Sequence, residues 1–110
     1  MFFPKIEWQK KGLVIQPNKK VPWMETHAML PTPLHIEGSL YRIYFAGRNS
    51  KNQSQIGYAL IDLNWPDKVI EFSKETVLTP GRLGTFDDNG VLSSCIISVS
   101  CQLFMYIIGF

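Results

Sequence analysis

Cysteine and histidine are both scarce in this 110-residue chain, with two of each. The cysteines, Cys95 and Cys101, stand without a Cys-x-x-Cys pair or a Cys/His ligand spacing, so the sequence offers no zinc site and no metal is expected. Both lie in apolar, strand-like text. Buried free thiols are the expected state, and a hairpin disulfide is the alternative, which would need Cα atoms within about 7 Å. Charge is also thin: 18% of residues are Asp, Glu, Lys or Arg, and the net charge is +2. That is too little to argue for nucleic acid or an anionic membrane as partner, and the pairs Lys10-Lys11 and Lys19-Lys20 read as solvated loop charge. Long hydrophobic runs are missing. The final Leu103–Phe110 run is far short of the ~20 residues a helical membrane span needs. The opening Met-Phe-Phe-Pro-Lys-Ile-Glu-Trp has no basic lead into an apolar core, so a signal peptide is not expected and the cytoplasm is the default compartment. Helical periodicity is missing too: no stretch keeps apolar residues at i, i+3, i+4 and i+7 over roughly ten residues.

What is present is strand, turn, strand. The composition is that of one ordinary globular domain, 45% apolar and 13% aromatic. Ala28–Ile36 reads as a strand despite Pro31 and Pro33, which suit an edge or a channel-lining position. Glu37-Gly38-Ser39 is a tight turn. Leu40–Gly47 alternates cleanly, with Tyr41, Ile43 and Phe45 on one face and Arg42 and Tyr44 on the other. Gln55–Leu63 is a third strand, and Val69–Phe72 with Thr76–Leu78 makes a short outer piece. A Gly-rich crossover from Thr79 to Gly90 leads to Val91–Val99 and Gln102–Gly109.

The chain also echoes itself. Residues 27–48 lie over residues 89–110 at an offset of 62, with Leu30 on Leu92, Tyr44 on Tyr106 and Gly47 on Gly109. A repeat of that length fits one four-stranded blade and its loops, so the expected fold is all-β: a partial β-propeller of about one and a half antiparallel blades. Residues 1–80 would form the lead-in and first blade, and residues 81–110 the crossover and half of a second. A β-sandwich can use the same strands, but the echo favours the propeller. One blade has two open faces and needs neighbours on both sides.

Chemistry would then collect where the two inner strands, Ala28–Ile36 and Val91–Val99, begin. Glu25-Thr26-His27 precedes the first and Asp87-Asp88-Asn89 the second. Carboxylates on two such loops suit a carbohydrate site, one to donate a proton to a glycosidic oxygen and one to activate water or phosphate. Asp87 and Asp88 are the candidate catalytic pair. Alternation would turn them opposite ways, with Asp88 inward beside a buried Phe86. The same Asp-Asp-Asn-Gly text is also an ordinary turn. His27, Glu25, Arg48 and Trp23 are the candidate substrate-binding residues. Trp23 can stack on a pyranose, and Arg48 or Arg42 can fork to a hydroxyl pair or a phosphate. An ion pair with Asp or Glu is the simpler expectation for either arginine. Gly81-x-x-Gly84 lacks the Gly-Lys-Ser/Thr ending of a phosphate loop, and no cofactor is expected.

Leu30-Pro31-Thr32-Pro33, Tyr41-Arg42-Ile43-Tyr44-Phe45-Ala46-Gly47-Arg48, Ile56-Gly57-Tyr58-Ala59, Gly84-Thr85-Phe86-Asp87-Asp88-Asn89-Gly90-Val91 and Leu103-Phe104-Met105-Tyr106-Ile107-Ile108-Gly109 occur in this order. From Trp8 to Phe110 the chain resembles a group of five-bladed β-propeller, glycosidase-like proteins. That group is related to the arabinanase, β-xylosidase and invertase propellers and to the mannoside phosphorylases. The resemblance implies a longer parent of which this is the N-terminal portion, and a carbohydrate ligand. It implies the parent's missing blades as partners, or self-association through exposed strand edges in their place. In such proteins the acids come from several blades. Asp87 and Asp88 lie near where the second blade's acid would enter. The first blade's usual acidic position reads His27-Ala28 here, and Ser93-Ser94-Cys95 stands where the phosphorylases have Asp-Pro-Arg. The resemblance thus implies a chain inactive by itself. The competing readings are a non-catalytic carbohydrate-binding or scaffold propeller and an unrelated small β-sandwich interaction domain.

Overall fold

Alternation in one strand sets the layering of the whole molecule. In a computed structural model describing residues 3–110, Phe45 is buried on one face of its strand and Tyr44 on the other. The first two residues of the opening Met-Phe-Phe-Pro run lie outside the described residues. Strands β1 (Ala28–Glu37), β2 (Leu40–Arg48), β3 (Ser54–Asp62) and β4 (Glu71–Phe72) pair in that order as one antiparallel sheet. Strands β5 (Val91–Val99) and β6 (Gln102–Gly109) form a second, two-stranded antiparallel sheet. The chain is all-β, with a short 3-10 turn over Pro22–Met24 before β1. Among the described residues no helix is long and apolar enough to cross a membrane.

The outer strand is shorter than its text implies. Only Glu71–Phe72 pairs as a strand, but the chain keeps to the β3 edge on both sides of it. The Ile70 amide donates to the Leu60 carbonyl, Ser73 donates to Tyr58, and Leu78 bridges Ile56. Lys74-Glu75-Thr76 interrupts the ladder between them, so the expected Thr76–Leu78 piece is reduced to that bridge.

Two apolar clusters lie on opposite faces of the first sheet. Trp23, Met24, Phe45 and Ala59 form one, under the segment that leads into β1. The Trp23 ring sits 4.9 Å from that of Phe45, and its indole N–H donates to the Ser73 carbonyl at 2.9 Å. Gly57 makes this seat, because a methyl group there would overlap the Trp23 ring. The other cluster joins the sheets. Tyr44 and Ile56 from the first sheet bury against Val91, with Leu34, Ile96, Met105 and Ile107 packed around them. Burying large apolar side chains at about 25 cal/mol per Å² makes both clusters the main source of stability.

The sheets repeat each other in register. Thr32 pairs with Tyr44 and Pro33 with Ile43 in the first sheet; Cys95 pairs with Tyr106 and Ile96 with Met105 in the second. Each inner strand carries a bulge just before that pair, at Leu30-Pro31 in β1 and at Ser94 in β5. A second irregularity near Ile36 lengthens β1 by one residue. The single offset of 62 is therefore corrected. It holds for β2 onto β6, whereas β1 maps onto β5 at 63, placing Thr32 on Cys95 and Leu34 on Ile97.

Both two-residue hairpin turns carry positive φ. Gly38 takes φ +52°, but the β5–β6 turn puts Ser100 (φ +48°) and Cys101 (φ +65°) in the left-handed region without glycine. Two such residues match a type I′ turn, whose twist suits the hairpin although Asn-Gly is its usual text. The cysteines correct the expectation of burial: both thiols are free, and both are exposed, Cys95 on the outer face of the hairpin and Cys101 on its turn.

Candidate functional site at the strand-start end

Strands β1, β3 and β5 begin at one end of the molecule, and a chain of contacts runs across it. The Glu25 amide donates to the Arg48 carbonyl at 2.8 Å. Arg48 pairs with Ser54 across β2–β3, and Ser54 bridges Gly90 in parallel. The Ser54 hydroxyl donates to the Val91 carbonyl at 2.8 Å, and the Gly90 amide reaches the Asp87 carbonyl. The loops carrying Glu25 and His27, Arg48, and Asp87 and Asp88 thus occupy one surface.

Their side chains are engaged locally. His27 is half-buried and its Nδ1 lies 2.7 Å from the Thr26 hydroxyl. Arg48 donates to the Asn52 amide oxygen at 3.0 Å, and its Nε is buried without a partner. Asn49 staples the same loop, accepting the amides of Lys51 and Gln53 at 3.0 Å each. Arg42 finds no acid either. It donates to the Tyr44 hydroxyl at 3.2 Å and lies 4.6 Å from the Tyr58 ring centre. That hydrogen bond, ahead of more distant charges, holds the guanidinium above its ordinary pKa. The expected Arg–carboxylate pairing is corrected: among the described residues the ion pair is Lys5–Glu7, at 3.1 Å and on the surface.

The Asp87-Asp88 pair is tied to its own loop. Asp87 Oδ1 accepts the Thr85 hydroxyl at 2.9 Å, and its carbonyl accepts the Gly81 amide. Asp88 Oδ2 accepts the Gly84 amide at 2.8 Å, and Oδ1 accepts the Asn89 side chain at 3.0 Å. The alternation that set Asp88 inward does not apply, because residues 82–89 turn instead of extending. Phe86 is corrected with it: the ring is 71% exposed, lying across Gly109 instead of buried as an anchor. Trp23 is corrected as well. At 3% exposure, with Phe45 and Gly57 against its ring, it has no free face for a pyranose and belongs to the core.

One polar contact escaped the sequence reading. Thr32 on β1 donates to Ser93 on β5 at 3.2 Å, and Ser93 donates to the Leu30 carbonyl at 3.2 Å. Leu30 adopts φ +53° at the bulge, a conformation a non-glycine residue seldom takes, and that turns its carbonyl toward the second sheet. Beside this contact a cleft of about 280 Å³ opens between the inner strands, lined by Leu30, Pro31, Thr32, Ser93, Ser94 and Ile108. Among the described residues no group of three His, Cys, Asp or Glu side chains gathers to hold a metal ion.

No known protein-family profile matches the chain. It is similar to two proteins of Mycobacterium tuberculosis, the uncharacterized protein MT1551 of strain CDC 1551 / Oshkosh and the uncharacterized protein Rv1502 of strain ATCC 25618 / H37Rv. Each is 38% identical to it over 102 residues, or 93% of this chain. The matched region is 34% of each relative, so the chain spans about a third of the length of the curated relatives it matches.

Proposed function

We propose that this chain is the N-terminal blade and a half of a glycosidase-like β-propeller and that its strand-start end binds a glycan without turning it over. The observation that carries the reading is the contiguous run Glu25–Arg48–Ser54–Gly90–Asp87 across the starts of β1, β3 and β5. It brings two acidic loops, a histidine and an arginine to one surface beside the inner-strand cleft. Hydroxyl-rich ligands are held by such mixed donors and acceptors. The stacked, in-register sheets support the blade reading.

Binding is favoured over catalysis by the state of the acids. A general acid and a general base need carboxyls free to face the glycosidic bond from two sides. Asp87 and Asp88 are adjacent and spend their oxygens on Thr85, Gly84 and Asn89. The reading makes the protein cytoplasmic, which suits two exposed free thiols.

The test is calorimetric titration with arabinotriose, xylotriose and mannotriose, alongside a reducing-sugar assay. We expect binding of at least one trisaccharide, lost in Arg48→Ala, with no sugar released. Release of sugar would overturn the binding-only reading, and no binding of any of the three at millimolar concentration would overturn the glycan reading.

A further inference from the structure

The outer edge of the first sheet departs from a regular ladder beside the strand-start surface. The Ser73 amide donates to the Tyr58 carbonyl, and along the same edge the Val77 amide donates to the Ile56 carbonyl at 2.7 Å. A regular antiparallel strand would bring Glu75 to Ile56, so the chain loops out over Lys74-Glu75-Thr76 before it returns. Beside this loop lies an open hollow of about 410 Å³, whose walls include Asn49, Gln55, Lys74, Glu75 and Thr76. The hollow adjoins the surface already described. Asn49 follows Arg48 at the end of β2, and Gln55 follows Ser54 at the start of β3.

These walls differ in state from the acidic pair. Asn49 spends its side chain on its own loop, but among the described residues no hydrogen bond or ion pair engages the side chains of Gln55, Lys74, Glu75 or Thr76. Lys74 and Glu75 are exposed and of opposite charge, so the hollow offers donors and acceptors without net charge. That suits a neutral, hydroxyl-rich ligand. The core does not require the loop either: Ser73 and Val77 bond to β3 on each side of it, and Lys74 and Glu75 belong to neither apolar cluster. We propose that the hollow continues the glycan site outward. It holds the further units of a chain whose other units lie on the strand-start surface, with the loop from Asn49 to Gln53 between them. The ligand is then an oligosaccharide longer than a trisaccharide. This rests on the glycan reading and adds chain length as a property that the protein recognises.

The test is calorimetric titration of the 110-residue chain with arabinohexaose, xylohexaose and mannohexaose beside the matching trisaccharides. For a sugar whose trisaccharide binds, we expect the hexasaccharide to bind at least about tenfold more tightly, beyond the few-fold gain that repeated units give by statistics alone. In Lys74→Ala/Glu75→Ala that advantage should fall to the statistical few-fold, and circular dichroism melts check that the variant keeps its fold. Amide NMR should show residues 74–76 shifting with the hexasaccharide and not with the trisaccharide. A hexasaccharide that gains no more than the statistical few-fold overturns the extended site and leaves the glycan reading standing. So does an advantage that survives the double substitution. Binding of neither the trisaccharides nor the hexasaccharides overturns both.

Discussion

The hydroxyl of Thr32 on the first sheet donates to that of Ser93 on the second, and both side chains are buried, at 7% and 2% exposure. The pair lies between the inner strands next to both bulges and fixes how one sheet sits on the other. Ser93→Ala should lower stability by about 1 kcal/mol, the usual cost of leaving a buried hydroxyl partner unsatisfied. Thr32→Val with Ser93→Ala should cost less than the two single changes added together. Urea unfolding of the four proteins of this cycle measures it, and simple additivity would show that the two residues do not interact.

Gly57 and Trp23 give a sharper packing test. A Cβ at position 57 would overlap the indole, so Gly57→Ala should destabilise by ~1–3 kcal/mol, as overpacking of a core does. Trp23 should also emit at shorter wavelength than Trp8 and Trp65, which are 94% and 64% exposed. Tryptophan fluorescence of Trp8→Phe/Trp65→Phe reads the buried ring alone, and a solvent-like emission maximum would contradict its seat.

For the acidic pair, Asp88→Ala should remove the acceptor of the Gly84 amide and lower stability by ~0.5–1 kcal/mol, with faster hydrogen exchange at Gly84. Asp87→Ala should cost less, because the Thr85 hydroxyl keeps the Arg82 carbonyl, at 2.6 Å, as its acceptor. Unchanged exchange across residues 81–89 would show that these carboxylates do not hold the loop.

Asp62 supplies a pH test. Its carboxylate accepts the Asn64 amide at 2.9 Å, and that bond, with the Ser39 hydroxyl, holds its pKa below the ordinary 3.8. A carboxyl depressed by folding stabilises the native state above its unfolded value and loses that contribution as pH falls through the folded one. Asp62→Asn should therefore flatten the fall in melting temperature below about pH 4 and leave the neutral-pH slope unchanged. Parallel acid profiles for the two proteins would contradict this.

The sheets were legible because their signal is local. Leu40–Gly47 alternates without interruption, so Phe45 and Tyr44 fall in separate clusters as the text implies. The echo was legible for the same reason, since aromatic and glycine positions of β2 recur in β6. The one-residue difference between the inner strands was not, because it comes from a bulge near Ile36 that no residue type announces. The site candidates were legible in position and not in state. Trp23 is covered through Gly57, more than thirty residues later in the chain, and residues 82–89 abandon the alternation from which Phe86 and Asp88 were oriented. Cys95 falls on the hairpin face that the chain leaves open, so apolar text around it did not mean burial.

A glycan held at the strand-start end, as proposed, would perturb the backbone amides of its three loops. Amide-resolved NMR of the 110-residue chain, titrated with arabinotriose, xylotriose and mannotriose, tests this directly. Shifts are expected to be confined to residues 25–27, 48–54 and 87–91 on addition of at least one of these sugars. Shifts confined instead to the cavity formed by Val14, Ile15 and Ile43, or no shifts at millimolar sugar, would contradict the proposal.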